Sequence, residues 1–294
     1  MFIRSLNIEL TNKCYLRCRH CYLQNRKDNN KYTVSLENYK KTLEWAKENE
    51  VIYIVLTGGD PLFLKNFNEY YMCAKRMGFI VSVLTNGLFI DSKLINLFHD
   101  YPPLSLEVSI YGMSTQLSTF TTQVKVDIDV LENKILEAHR NGIHILCKYI
   151  VCEYNKADID KFISWVTRNS IDHSIEIANI PVVDYINNRL CYVRPSSEDL
   201  NLLQKNFPNE ISVRSSQSKL MCSMPNSLSI DSNLVVRGCA ALEVKKEKLA
   251  FENSWEYYSD RFTIIRSQSI FCPAWEQYES TEEISDYLQC KLKG

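Results

Sequence analysis

Apolar and polar positions along this chain follow two rhythms. Short β-branched runs begin near Ile3, Val51, Phe79, Leu104, Ile143 and Asp172, and the stretches between them place apolar residues every three or four positions. Leu36, Tyr39, Leu43 and Ala46 form one such stripe and Ile128, Leu131, Ile135 and Ala138 another; Phe67, Tyr70, Ala74, Met77 and then Ile159, Phe162, Val166 repeat it less regularly. The first rhythm predicts strands, the second amphipathic helices with one face toward a core. Six β-α units in succession require a parallel sheet, since each helix must return the chain to the end it left. Periodicity leaves open whether that sheet stays flat or curves into a partial barrel.

The strand alternation also sorts side chains by face. In the fourth run Ser105, Glu107 and Ser109 alternate with Leu104, Leu106, Val108 and Ile110; in the fifth, His144, Leu146, Lys148 and Ile150 alternate with Ile143, Ile145, Cys147 and Tyr149. With the apolar sets under the helices, Glu107, Ser109 and Lys148 line the interior, and Lys148 is expected to face Glu107 across it. Buried charges need partners whether this is a plain ion pair or a hold on a ligand. Parallel α/β folds bind ligands at the carboxyl ends of their strands. Four loops meet at that rim: a cysteine-rich run after the first strand, Thr57-Gly58-Gly59-Asp60-Pro61 after the second, Thr85-Asn86-Gly87 after the third and Ser109-Ile110-Tyr111-Gly112 at the fourth.

From Pro181 the alternation stops, which suggests a division into residues 1–180 and 181–294. Pro195-Ser196-Ser197-Glu198-Asp199 reads as a capped helix start, and Ile230-Asp231-Ser232-Asn233-Leu234 as the turn of a hairpin between Cys222 and Cys239, with Asn233 as the residue suited to a left-handed position. The sequence has no internal repeat and no low-complexity tract.

Composition narrows the partners. At 294 residues, 45% hydrophobic and 23% charged, the chain can bury a large core, and its net charge of −1 gives no basic field for nucleic acid or an anionic membrane. The Lys245-Lys246-Glu247-Lys248 run reads as a solvated face. The start of the chain lacks a signal-peptide core, and no apolar run approaches a membrane span, so a cytoplasmic location is expected. An odd total of 11 cysteines points to metal ligands and buried thiols more than to disulfides.

The chemistry is concentrated in Cys14-Tyr15-Leu16-Arg17-Cys18-Arg19-His20-Cys21. Three thiolates at this spacing can hold three irons of a four-iron, four-sulfur cluster and leave the fourth iron open. A structural zinc site, which wants four ligands in a closed set, fits a lone triplet poorly. The run and its flanks, Glu9-Leu10-Thr11-Asn12-Lys13 before and Tyr22 after, resemble the signature of radical S-adenosylmethionine (SAM) enzymes.

That resemblance implies a (β/α)6 partial barrel, a 4Fe-4S cluster on Cys14, Cys18 and Cys21, and SAM chelated to the open iron and split by one electron into methionine and a 5'-deoxyadenosyl radical. Gly58-Gly59-Asp60-Pro61 is similar to the family's "GGE" element, with Asp60 in place of the glutamate. Cofactor contacts are then expected from Tyr22, Gly58, Gly59, Asp60, Pro61, Asn86, Ser109, Lys148 and Ile177, and Glu107 and Lys148 are the barrel-lining candidates for a catalytic role. On this reading a β-branched residue at Gly59 weakens SAM binding and leaves the iron content intact.

Cys222, Cys239, Cys272 and Cys290 resemble a reduced form of the auxiliary-cluster extensions called SPASM and twitch, enough for one further cluster of 4Fe-4S type, with Cys290 either its fourth ligand or a terminal thiol. Leu234 stands where the usual hairpin has glycine. Enzymes with this extension most often modify ribosomally made peptides by crosslinks, thioethers or epimerisation, with flavodoxin or ferredoxin as electron donor. The residues ahead of the first strand are too few for a leader-recognition domain, so a separate protein or the last third is expected to supply it. Oxidation of a small molecule such as an amino sugar is the alternative reaction, and an iron–sulfur carrier or scaffold the alternative class.

Overall fold

The computed structural model describes residues 4–21, 23, 32–177, 182–184, 189–191, 195–208, 227–234 and 236–237. Its order is β1 (Ser5–Thr11), α1 (Leu36–Glu48), β2 (Tyr53–Gly58), α2 (Phe67–Arg76), β3 (Ile80–Thr85), α3 (Ser92–Asp100), β4 (Ser105–Ile110), α4 (Thr115–Thr122), α5 (Ile128–Arg140), β5 (Ile145–Val151), α6 (Ile159–Arg168), β6 (Asp172–Ile177), β7 (Val182–Asp184), β8 (Arg189–Cys191), α7 (Ser197–Asn206), β9 (Ser227–Ile230) and β10 (Val236–Arg237). Ser35, Asp91, Ser114, Asp127 and Ser196 each start a helix by accepting a hydrogen bond from a first-turn N–H. One of these helices, α4, carries no stripe as regular as those read from the sequence.

The sheet runs β10-β9-β1-β2-β3-β4-β5-β6, parallel from β9 to β6, and is an open partial barrel. One face is apolar. Ile54, Leu56, Val81, Val83, Leu106, Val108, Ile145 and Cys147 join Tyr39, Leu43, Ile135 and Phe162 of the covering helices in a single buried core. Each such side chain contributes about 1.5–3 kcal/mol by leaving water. The other face carries the polar set of the alternation and forms the interior of the half-barrel. At the end away from the β-α loops, His144 ties three strands together, its Nδ1 2.7 Å from the Leu104 carbonyl and its Nε2 2.9 Å from an Asp172 oxygen.

The hairpin of β9 and β10 adds to the sheet beside β1, in register from Ser5 with Ser227 to Ile8 with Ile230. Asn7 donates to the Ser229 hydroxyl across that pairing at 3.4 Å. The turn departs from expectation: Leu234, at φ +63°, takes the left-handed position, and Asn233 donates its N–H to the Asp231 carboxylate at 2.9 Å instead. Leu234 packs against the core, which offsets the backbone strain of a branched side chain at positive φ.

Candidate cluster and cofactor site

The loop that follows β1 is gripped from three sides. From the β2 loop, the Gly59 N–H donates to the Thr11 carbonyl at 2.7 Å and the Asp60 N–H to the Lys13 carbonyl at 2.9 Å. A Cβ on Gly58 would sit 2.1 Å from the Thr11 oxygen, and one on Gly59 2.2 Å from the Lys13 oxygen. Only glycine lets these backbones meet, and Gly58, at φ +139°, also needs its conformational freedom. The glycines therefore serve the cysteine loop itself, and a β-branched side chain at Gly59 would press on the backbone that leads to Cys14.

From the β3 loop comes Asn86, whose side-chain amide donates toward the Cys14 sulfur at 3.7 Å and accepts the Leu88 N–H at 3.0 Å. Asp60 links the two loops. Its carboxylate is fully buried and accepts from the Leu62 N–H at 2.8 Å, the Thr85 hydroxyl at 2.9 and 3.1 Å and the Asn86 N–H at 2.9 Å. Burial pushes its pKa up to about 6 despite these donors. With its side chain committed to the protein, Asp60 is a positioning residue, and Pro61 beside it opens a 3-10 turn in which Pro61 and Leu62 are buried.

From α4 the grip is by carbonyls. The N–H groups of Arg17 and Arg19 donate to the Thr122 and Thr121 carbonyls, each at 2.9 Å, so the cysteine loop caps the helix C-terminus. Arg19 Nε donates to the Phe120 carbonyl at 2.9 Å while its guanidinium lies 4.3 Å from the Phe120 ring centre.

Within this frame the Cys14, Cys18 and Cys21 thiols sense one another. Burial holds Cys14 up at about 11 and Cys18 well above the usual thiol range, and the neighbouring thiols add to both shifts. Among the described residues no three His, Cys, Asp or Glu side chains converge as a single metal ion would require. A four-iron cube asks for something else, one thiolate per iron, with the sulfurs set apart around it. Three neighbouring thiols on a clamped loop, Cys18 buried and Cys14 and Cys21 half-buried, fit that group, and binding it would release their protons. Cys14, Cys18, Cys21, Cys73, Cys147 and Cys152 are all free of disulfides.

Beside the thiols stands a cluster of rings whose meeting the sequence pattern gave no reason to expect. His20 lies 5.0 Å from the Tyr111 ring, and Tyr154 places its hydroxyl 3.4 Å from His20 Nδ1. Withdrawal from water lowers the His20 pKa to about 4 and keeps the imidazole neutral. Ser109 hydrogen-bonds Tyr111, and buried Cys152 hydrogen-bonds Tyr154. His20 lies inside the cysteine motif, where it was assigned no role; Tyr154 and Cys152 reach the site from the end of β5, which no local spacing signals.

On the interior face Lys148 pairs with Glu107 at 2.7 Å and with Glu176 at 3.1 Å. The expected partnership is present, but between adjacent strands and not across the interior: Lys148 lies opposite Ser109 in the β4–β5 register, and Glu176 comes from β6. Ser82, Ser105 and Glu107 extend the line through hydrogen bonds of 3.0 and 3.1 Å. Ile177 ends β6 at the rim. Tyr22 and the four cysteines Cys222, Cys239, Cys272 and Cys290 lie outside the described residues.

A parallel half-barrel with a clamped cysteine triplet at its carboxyl rim defines a class, and comparison with known proteins agrees with it. Residues 8–166 match the Radical SAM superfamily, and the chain belongs to that superfamily of enzymes, which bind a 4Fe-4S cluster and SAM. It is similar to the antilisterial bacteriocin subtilosin biosynthesis protein AlbA of Bacillus subtilis, 38% identical over 95 residues, which are 32% of this chain and 20% of AlbA. It is also similar to a probable GTP 3',8-cyclase of Methanocella arvoryzae, 28% identical over 167 residues, 56% of this chain and 53% of the cyclase. The chain thus matches about half or less of each of these relatives. In fold it resembles Streptococcus suis SuiB bound to S-adenosylmethionine, with a TM-score of 0.68 at 16% identity over 95% of this chain and 68% of SuiB. No helix among the described residues is long and apolar enough to cross a membrane.

Proposed function

We propose that this chain is a peptide-modifying radical SAM enzyme. The observation that carries the reading is the clamp itself: loops from β1, β2 and β3 converge on Cys14 and fix three thiols at the mouth of a polar-lined half-barrel. When bound, the cluster supplies the electron that splits SAM and gives the 5'-deoxyadenosyl radical that takes hydrogen from a substrate carbon. The protein's part is placement. The backbone of Gly58 and Gly59 is assigned to the SAM ammonium, and Ser109, Lys148, Ile177 and Tyr22 to its ribose, carboxylate and adenine. Glu107 and Glu176 hold Lys148 charged in a half-buried setting, where a fixed cation can orient a carboxylate.

Support for a peptide substrate comes from AlbA, whose name places it in bacteriocin biosynthesis, and from SuiB, which has also been solved bound to its precursor peptide SuiA. A second reading, radical chemistry on a small molecule, is favoured by one observation: the match to the probable GTP cyclase covers more of this chain than the match to AlbA. Anaerobic assay with peptides encoded beside the gene, read by mass spectrometry, separates the two. A mass change on a peptide supports the first reading; turnover of a nucleotide or sugar with no peptide modified overturns it.

Residues 181–294 are assigned to an auxiliary-cluster extension with Cys222, Cys239 and Cys272 as ligands and Cys290 as the candidate fourth. Reconstituted protein should then carry about eight irons per chain, falling to about four in Cys222→Ala/Cys239→Ala. A wild-type value of about four removes the second cluster and leaves the first.

A further inference from the structure

We propose that β6 is the docking edge for an extended, basic stretch of the substrate peptide, which adds to the sheet as a further strand. Among the described residues the sheet ends at β10 on one side and at β6 on the other. The β10 edge is two residues long and folds back on β9. The β6 edge runs six residues, Asp172–Ile177, with no proline or glycine to interrupt it. The hairpin of β7 and β8 that follows pairs with itself and forms a separate sheet.

The register of β6 with β5 is unbroken from Asp172 to Ile177. Alternate residues of such a strand turn their N–H and C=O groups away from the neighbour they already have, where an added strand can take them. β6 is also the more open of the two. Where β5 buries every second residue, every residue of β6 keeps some contact with water.

Side chains select the occupant. Asp172, Ser174 and Glu176 alternate along one face of β6, with Ser174 opposite Lys148 in the register. The Asp172 and Glu176 side chains are 72% and 49% exposed, and β6 contributes no lysine or arginine. Glu107 and Glu176 share the single ammonium of Lys148, so negative charge is left over on this face. Between the two acids the Ser174 hydroxyl oxygen is buried and has no hydrogen-bond partner, an open polar position on the same face. A second copy of the chain is a poor occupant: antiparallel pairing about Ser174 sets the Asp172 of each copy against the Glu176 of the other. A strand with lysine or arginine at alternate positions places opposite charges there instead. The parallel sheet brings β6 and the cysteine loop after β1 to the same rim. At about 3.3 Å per residue, a peptide cation opposite Glu176 delivers the next one or two residues to that rim.

The test is binding of labelled octapeptides, identical but for lysine, glutamine or glutamate at one central position, to the reconstituted protein with SAM, read by fluorescence anisotropy. Wild type should hold the lysine peptide about fivefold more tightly than the glutamine peptide and the glutamate peptide least. Glu176→Gln should remove the preference for lysine, and Glu176→Lys should turn it toward glutamate, with urea unfolding to confirm that both variants fold. N-methylation of alternate peptide amides should weaken binding about tenfold, and of the intervening amides little. Equal binding of the three peptides, no binding of any, a preference unchanged in Glu176→Lys, or N-methyl losses without alternation would each overturn the docking edge. The inference rests on the peptide-modifying reading, and the two fail separately. A basic peptide held on this edge but left unmodified under reducing conditions strikes that reading alone, and a peptide modified without any of these binding signatures strikes the edge alone.

Discussion

Gly59 and Asp60 adjoin in the chain and tighten the site by opposite means, one through a missing side chain and the other through a crowded one. Because even a methyl at Gly59 meets the Lys13 carbonyl at 2.2 Å, Gly59→Ala should lower iron incorporation and SAM binding together. Iron assay and SAM titration on the same preparation decide it, and retained iron with lost SAM binding would return the glycine to a role toward the ligand alone. Asp60→Ala should destabilise the fold by about 3 kcal/mol or more, since it strips the acceptor from the Leu62 and Asn86 N–H groups and the Thr85 hydroxyl. Urea unfolding of the cluster-free protein measures this without interference from iron.

Strands and helices differ in how plainly they announced themselves. The six strands and the stripes of α1, α2, α5 and α6 were legible because burial of one face imposes a period. By contrast α4, Thr-Gln-Leu-Ser-Thr-Phe-Thr-Thr, has no apolar face to read, and it persists because Ser114 caps its start and the cysteine loop caps its end. The Lys148–Glu107 pair followed from alternation, whereas its lateral geometry depends on register, which alternation does not fix. The hairpin turn was legible as a turn but not in its detail, because the packing of Leu234 outweighs the propensity of Asn233. Leu234→Ala should therefore be less stable than Leu234→Gly by about 1 kcal/mol, both losing the packing but only glycine shedding the strain. Thermal melts of the two variants side by side test the ordering.

At the scale of the molecule, the His144 clasp joins the starts of β4, β5 and β6 far from the cysteines and provides a pH signature of the barrel. The Leu104 carbonyl, and after it the Asp172 carboxylate, raise the His144 pKa above its usual value. A raised histidine pKa in the folded state stabilises fully below about pH 6.5 and is lost as pH rises through the folded value. Both partners are exposed, so the effect is about half a kcal/mol or less. Wild type should lose slightly more stability than Asp172→Asn between about pH 5.5 and about pH 8.5, and equal losses would show the clasp to be inert.

The capping of α4 by the cysteine loop also sets a schedule for biosynthesis. Arg19 and Phe120 are 101 residues apart in the chain, yet the Arg17 and Arg19 N–H groups find their acceptors only on Thr121 and Thr122. A nascent chain emerging from the ribosome therefore exposes all three cysteines long before the loop that carries them can close. During that interval the thiols are accessible to oxidation or to the wrong metal, and iron delivery that waits for α4 meets a finished cradle. Ribosome-stalled chains ending before α4 should accept iron poorly, and chains long enough to expose α4 and the later strands should accept it well.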